Sequence, residues 1–177
     1  MRRLGGIWLA VILLFGIGAE AAAVDTQIDV RVLSKGAKFI GTGVAGAEIT
    51  IRDAETHELL VRGKTVGNSG NDRRIMVEAW PRHAPLSTPT SAVFRATLDL
   101  EEPRQVVVTA RGPLSQPQSA AVATVTQWMV PGKHVTGGDG LTLELPGFSV
   151  DILHPPARQR VPAGQKRIEL RAKTDED

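Results

Sequence analysis

The sequence predicts an all-β fold, an antiparallel β-sandwich of about seven to eight strands behind a cleavable leader. Three observations predict it. Apolar side chains recur at every second position in one segment after another, the period of a half-buried strand. Clusters of Gly, Pro, Asn and Asp separate those segments at intervals of roughly 8–12 residues. No stretch beyond the leader shows a convincing helical period.

The leader is residues 1–23. Arg2 and Arg3 give a cationic start, Ile7 to Ile17 form an apolar run, and Gly18 to Ala23 supply small residues for cleavage. That order is a secretory signal peptide. The apolar run falls short of the roughly 20 residues that a membrane-spanning helix needs. Cleavage is expected near Ala22 or Val24, and the mature chain is expected to be periplasmic or secreted. The chain has no cysteine, so neither disulfides nor an N-terminal lipidated cysteine are expected. No second segment reaches spanning length, and no transmembrane anchor is expected in the mature chain.

Residues 24–155 read as the β domain. Ile28, Val30 and Val32 alternate with Asp29 and Arg31 as a first strand. A Gly-rich stretch from Ser34 to Gly46 follows. Ile49 and Ile51, a turn at Asp53 to His57, and Leu59 to Val61 make a hairpin by pattern. Gly67 to Asp72 is a polar loop, and Arg74 to Trp80 could be a short strand. Pro81 to Pro89 is a loop, because proline lacks the amide hydrogen that a central strand uses. Phe94 to Leu100, Gln105 to Ala110, Ala121 to Val130, Leu141 to Leu145 and Phe148 to Ile152 complete the strands. In the Ala121–Val130 segment, Val122, Thr124, Thr126 and Trp128 share one face, and Trp128 reads as core. Residues 156–177 form a charged tail, mobile or carrying one edge strand at Lys166 to Arg171. There is no Cys…Trp…Cys pattern of an antibody domain, but the wider immunoglobulin-like architecture fits these strands.

The stretch Gly46-Ala47-Glu48-Ile49-Thr50-Ile51-Arg52-Asp53-Ala54-Glu55-Thr56-His57-Glu58-Leu59-Leu60, continuing to Thr65, resembles the opening hairpin of carboxypeptidase-regulatory-like or transthyretin-like domains. The likeness covers about 20 residues, and His57 stands where that family commonly has glycine. It implies a non-catalytic immunoglobulin-like module, often an accessory part of a secreted system.

Charge and composition narrow the function classes. Twenty-one Lys and Arg face 19 Asp and Glu; removing Arg2, Arg3 and Glu20 with the leader leaves 19 against 18. Scattered, nearly balanced charge gives no footprint for nucleic acid. With four Phe, three Trp and no Tyr, aromatic platforms for sugars or single strands are scarce.

Three motifs fall short of their chemistry. Gly41-Thr42-Gly43-Val44-Ala45-Gly46 matches the dinucleotide string, but a strand rather than a helix follows it. His57-Glu58-Leu59-Leu60-Val61 lacks the second histidine of the zinc-protease motif. Gly147-Phe148-Ser149-Val150-Asp151 lacks the final glycine of the nucleophile elbow. No catalytic set emerges.

Two readings survive. In the first, the chain is an exported, non-catalytic binding or accessory module for another extracytoplasmic protein, with Trp80 as a candidate partner contact and no cofactor. In the alternative, it is a periplasmic copper- or zinc-binding protein whose loop histidines His83, His134 and His154 converge at one pole, supplemented by Asp139, Asp151, Met76 or Met129. Calcium at Asn68, Asn71 and Asp72, or at Asp139, is a weaker option, since the D-x-[DN]-x-[DN]-G loop is absent.

Overall fold

The computed structural model describes residues 22–79, 81–156 and 158–176. Its strands are β1 (Val24–Ser34), β2 (Glu48–Asp53), β3 (Leu59–Lys64), β4 (Phe94–Leu100), β5 (Arg104–Gly112), β6 (Ala121–Met129), β7 (Leu141–Leu145), β8 (Phe148–His154) and β9 (Arg171–Glu176). They form a three-stranded sheet in the order β4-β1-β7, a four-stranded sheet in the order β3-β2-β5-β6, and a two-stranded β8-β9 ribbon. Among the described residues the chain is all-β apart from a 3-10 turn at Thr42–Val44 and one helical turn, α1 (Asp72–Met76). Among the described residues no helix is long and apolar enough to cross a membrane.

Alternation decides which side chains go inward. Ile28, Val30 and Val32 of β1 and Ala96, Leu98 and Leu100 of β4 are buried, as are Ile49 and Ile51 of β2 and Val106, Val108 and Ala110 of β5. Residues from both large sheets belong to one apolar cluster, closed by Met129, Leu143 and Leu145. β-Branched side chains dominate it, as suits a pleated surface packed on one face. On β3, Gly63 lies opposite Ile49. A Cβ at Gly63 would collide with the ring of Phe94. Its missing side chain therefore lets the β4 aromatic fold across the open side between β3 and β4.

Four expectations are corrected. The strands were expected to be wholly antiparallel, but β7 runs parallel to β1, with Val30 opposite Leu141 and Ser34 opposite Leu145. β6 and β7 belong to different sheets, so no tight hairpin forces them to reverse. Arg74 to Met76, expected to open a short strand, lie instead in α1, whose first turn is capped by Asn71: its side chain accepts the Arg74 N–H at 3.0 Å. Trp128, read as core, is 58% exposed. Register places Val125 opposite Val108 and Ala123 opposite Ala110, so the Ala and Val face of β6 covers the core and the Thr and Trp face looks out. Finally, the edge strand near Lys166 to Arg171 is β9, at Arg171–Glu176. β9 pairs with β8, which joins neither large sheet.

Two polar clamps stabilise the loops. The Asp139 carboxylate accepts the Leu86 N–H at 2.7 Å and the Ser87 N–H at 2.8 Å. Its backbone carbonyl accepts from the buried Arg31 guanidinium at 3.0 Å. The long connection between β3 and β4 is thereby pinned to the turn before β7.

Candidate functional site

A concavity lies at one end of the four-stranded sheet, where the β2–β3 turn, the β4–β5 turn and the end of β6 meet. Its floor is set by Asp53, the last residue of β2. One Asp53 oxygen accepts N–H groups from Glu55 at 2.8 Å and Thr56 at 2.7 Å, the self-capping turn that aspartate favours. Its other oxygen faces Arg104 Nε at 3.3 Å. The Thr56 N–H is the main cause that holds the Asp53 carboxyl below the ordinary aspartate value; burial opposes it, and Glu55 and Arg104 add to the lowering. His57 completes the turn at φ +62°, in the left-handed region. The Ala54 N–H donates to the Gln105 carbonyl at 2.9 Å, fixing the turn to the start of β5.

Asp53, Glu55, Thr56, Glu102, Arg104 and Trp128 line this cavity of about 510 Å³ together with Ala54, Pro103 and Gln105. Trp128 reaches it because it stands opposite Gln105 on the outward face of β6. The Thr56 hydroxyl accepts the Glu58 N–H at 3.3 Å. Arg104 is neutralised by Asp53. The side-chain carboxylates of Glu55 and Glu102 have no hydrogen-bond or ion-pair partner among the described residues. The cavity thus presents an indole and two uncompensated carboxylates, an arrangement suited to binding a ligand with apolar and polar parts.

The sequence-derived sites are placed elsewhere. His83 is exposed in the connection after Pro81, His134 lies between β6 and β7, and His154 ends β8. Among the described residues no group of three or more His, Cys, Asp or Glu is assembled to hold a metal. The described residues place His83, His134 and His154 in three different parts of the chain. Each histidine is held by its own element, and His134 Nδ1 already accepts the Gln27 N–H at 3.0 Å. Of the supplementary ligands, Asp139 is engaged by the two amides described above, Met129 is buried in the core and Met76 lies on α1. The side chain of Asp151 lies outside the described set.

The calcium option fares similarly. Asn68 accepts from Gly70 and donates to Thr90, Asn71 caps α1, and Asp72 pairs with Lys38 at 2.9 Å. The Gly41–Gly46 string makes a 3-10 turn closed against Gly67, not the opening of a helix. Trp80 lies outside the described residues.

Trp128 was the residue that sequence reasoning misplaced. A signal for it existed. Burying the Val122–Trp128 face would also have buried the hydroxyls of Thr124 and Thr126, each needing a partner. On the surface, Thr124 meets Thr109 at 3.2 Å.

A second exposed feature is the β8–β9 ribbon. Val150, Ile152 and Leu153 on β8 and Ile168 and Leu170 just before β9 are each half exposed or more. No family model, curated protein or solved structure matches this chain.

Proposed function

We propose that this chain is an exported, non-catalytic binding module: an immunoglobulin-like β-sandwich that docks another extracytoplasmic protein. Support for the architecture comes from the single core shared by the three- and four-stranded sheets. The segment that resembles a carboxypeptidase-regulatory-like domain coincides with β2, its turn and β3.

The observation that carries the reading is the β8–β9 ribbon. Two strands alone bury too little surface to be more than marginally stable in water. This ribbon nevertheless turns Val150, Ile152 and Leu153 outward. Clustered exposed apolar side chains mark sites where another protein docks, and a partner that covers the ribbon supplies the missing burial.

The test is capture from an extracytoplasmic extract at physiological salt, using the mature chain and a variant carrying Ile152→Ser with Leu153→Ser. The expected result is a specific partner retained by the native chain and lost by the variant. Absence of any specific partner, or equal capture by both, would overturn the proposal. Fractionation with sequencing of the mature N-terminus tests the export step; an intact leader on cytosolic protein would refute it.

A further inference from the structure

We infer that the cavity beneath Trp128 is a receptor for a cationic side chain, lysine or arginine, presented by a polypeptide. The inference does not depend on the β8–β9 ribbon and stands or falls separately from it.

Three features of the cavity argue for a cation. The first is the indole. Trp128 is 58% exposed on a strand whose opposite face carries the core residues, so packing alone leaves its ring open. A tryptophan face attracts cations more strongly than any other aromatic ring does.

The second is charge. Asp53 and Arg104 cancel each other across 3.3 Å, which leaves Glu55 and Glu102 to set the sign of the cavity. Glu101 on the same turn is exposed and adds to the negative potential. Arg52, near the end of β2, directs its guanidinium to the His57 carbonyl at 3.0 Å. An incoming ammonium or guanidinium meets two carboxylates without an internal competitor.

The third is rigidity. The Asp53 turn is closed by four hydrogen bonds: from Glu55 and Thr56 to its side chain, from His57 to its carbonyl, and from its own N–H to Glu58. Glu55 is therefore carried on a preformed turn, and Glu102 on the short link between β4 and β5. Preorganised groups lose little freedom when a ligand arrives.

A neutral sugar would also stack on an indole, but it would gain nothing from the two unpaired carboxylates. An anionic ligand would be repelled by them. A lysine or arginine stem is apolar along its length and charged at its tip, which matches a cavity with an aromatic wall and an acidic rim.

The experiment follows Trp128 fluorescence in a Trp80→Phe mature chain, so that one indole reports. The probes are acetyl-Ala-Lys-Ala-amide and acetyl-Ala-Arg-Ala-amide. Acetyl-Ala-norleucine-Ala-amide, the corresponding Glu peptide, a neutral tetrasaccharide and spermidine serve as comparisons. A saturable change is expected with the Lys or Arg peptide, weakening as salt is raised. The Glu55→Gln and Glu102→Gln double variant should bind about tenfold more weakly with an unchanged unfolding midpoint. No saturable change up to about 10 mM peptide would overturn the inference. So would an equal response to the norleucine peptide or the sugar, or undiminished binding by the double variant. Spermidine binding with no response to either cationic peptide would also overturn it, because the cavity would then be a small-amine site.

Discussion

Replacing Asp139 with alanine removes a side chain that holds the β3–β4 connection to the turn before β7. Two amides, those of Leu86 and Ser87, donate to its carboxylate at 2.7 and 2.8 Å. Hydrogen bonds to a charged group contribute about 1.5–3 kcal/mol each. The carboxylate is only partly buried, so solvent screening favours the low end of that range. The expected cost is about 3 kcal/mol at neutral pH, which for a domain of this size lowers the melting temperature by roughly 6–12 °C. Asp139→Asn keeps one accepting oxygen and should lose about half as much.

The same site predicts a pH dependence. Burial of the Asp139 carboxyl acts to raise its pKa, but bonds from Ser87 and Leu86, with the charge of Arg31, outweigh burial and hold it below the ordinary value of 3.8. A lowered folded-state pKa means a contribution present in full above the unfolded value and lost as pH falls through the folded one. Urea unfolding of the native chain and Asp139→Ala, at neutral pH and in stepped acid, reads both effects. The gap between the two proteins should be widest at neutral pH and close in acid. Identical midpoints at neutral pH, or a gap that stays constant into acid, would refute the reasoning.

Other perturbations probe the remaining supports. Gly63→Ala should cost about 1–3 kcal/mol by overfilling the space taken by the Phe94 ring, and adding Phe94→Leu should recover part of the loss in urea melts. His57→Gly should raise stability by about 1 kcal/mol by removing a Cβ from a left-handed position; His57→Ala, which keeps the Cβ, should give no such gain. Asp53→Ala should lower the unfolding midpoint at neutral pH. That loss should shrink as pH falls, since the Thr56 N–H and its neighbours hold the Asp53 pKa below 3.8.

The strands with clean period-two alternation were legible before any coordinates. The β2–β3 hairpin, β4, β5 and β7 lie where Ile49, Ile51, Leu98, Val106 and Leu143 place them. What alternation does not carry is partnership. β8 reads as a strand in either setting, and only the fold shows that it pairs with β9. The direction of β7 was hidden for the same reason, because its partner β1 lies more than a hundred residues upstream. α1 escaped notice because five residues are too few to display a 3.6-residue period. The cavity was obscured by β6, where both faces carry apolar residues and the larger ones turned out to be the exposed set. For the histidines, residue type announces a chemistry, while position depends on two separate connections and the end of β8.

β1 is the middle strand of its sheet, although it is the first to be made. Its neighbours are β4, some seventy residues on, and β7. The β4 flank needs residues as far as Leu100 and the β7 flank residues as far as Leu145, so this layer is completed by a late, long-range event. A polypeptide threaded through a narrow pore from its amino end would stay pliable for most of the passage. It would lock only once nearly everything had emerged on the far side.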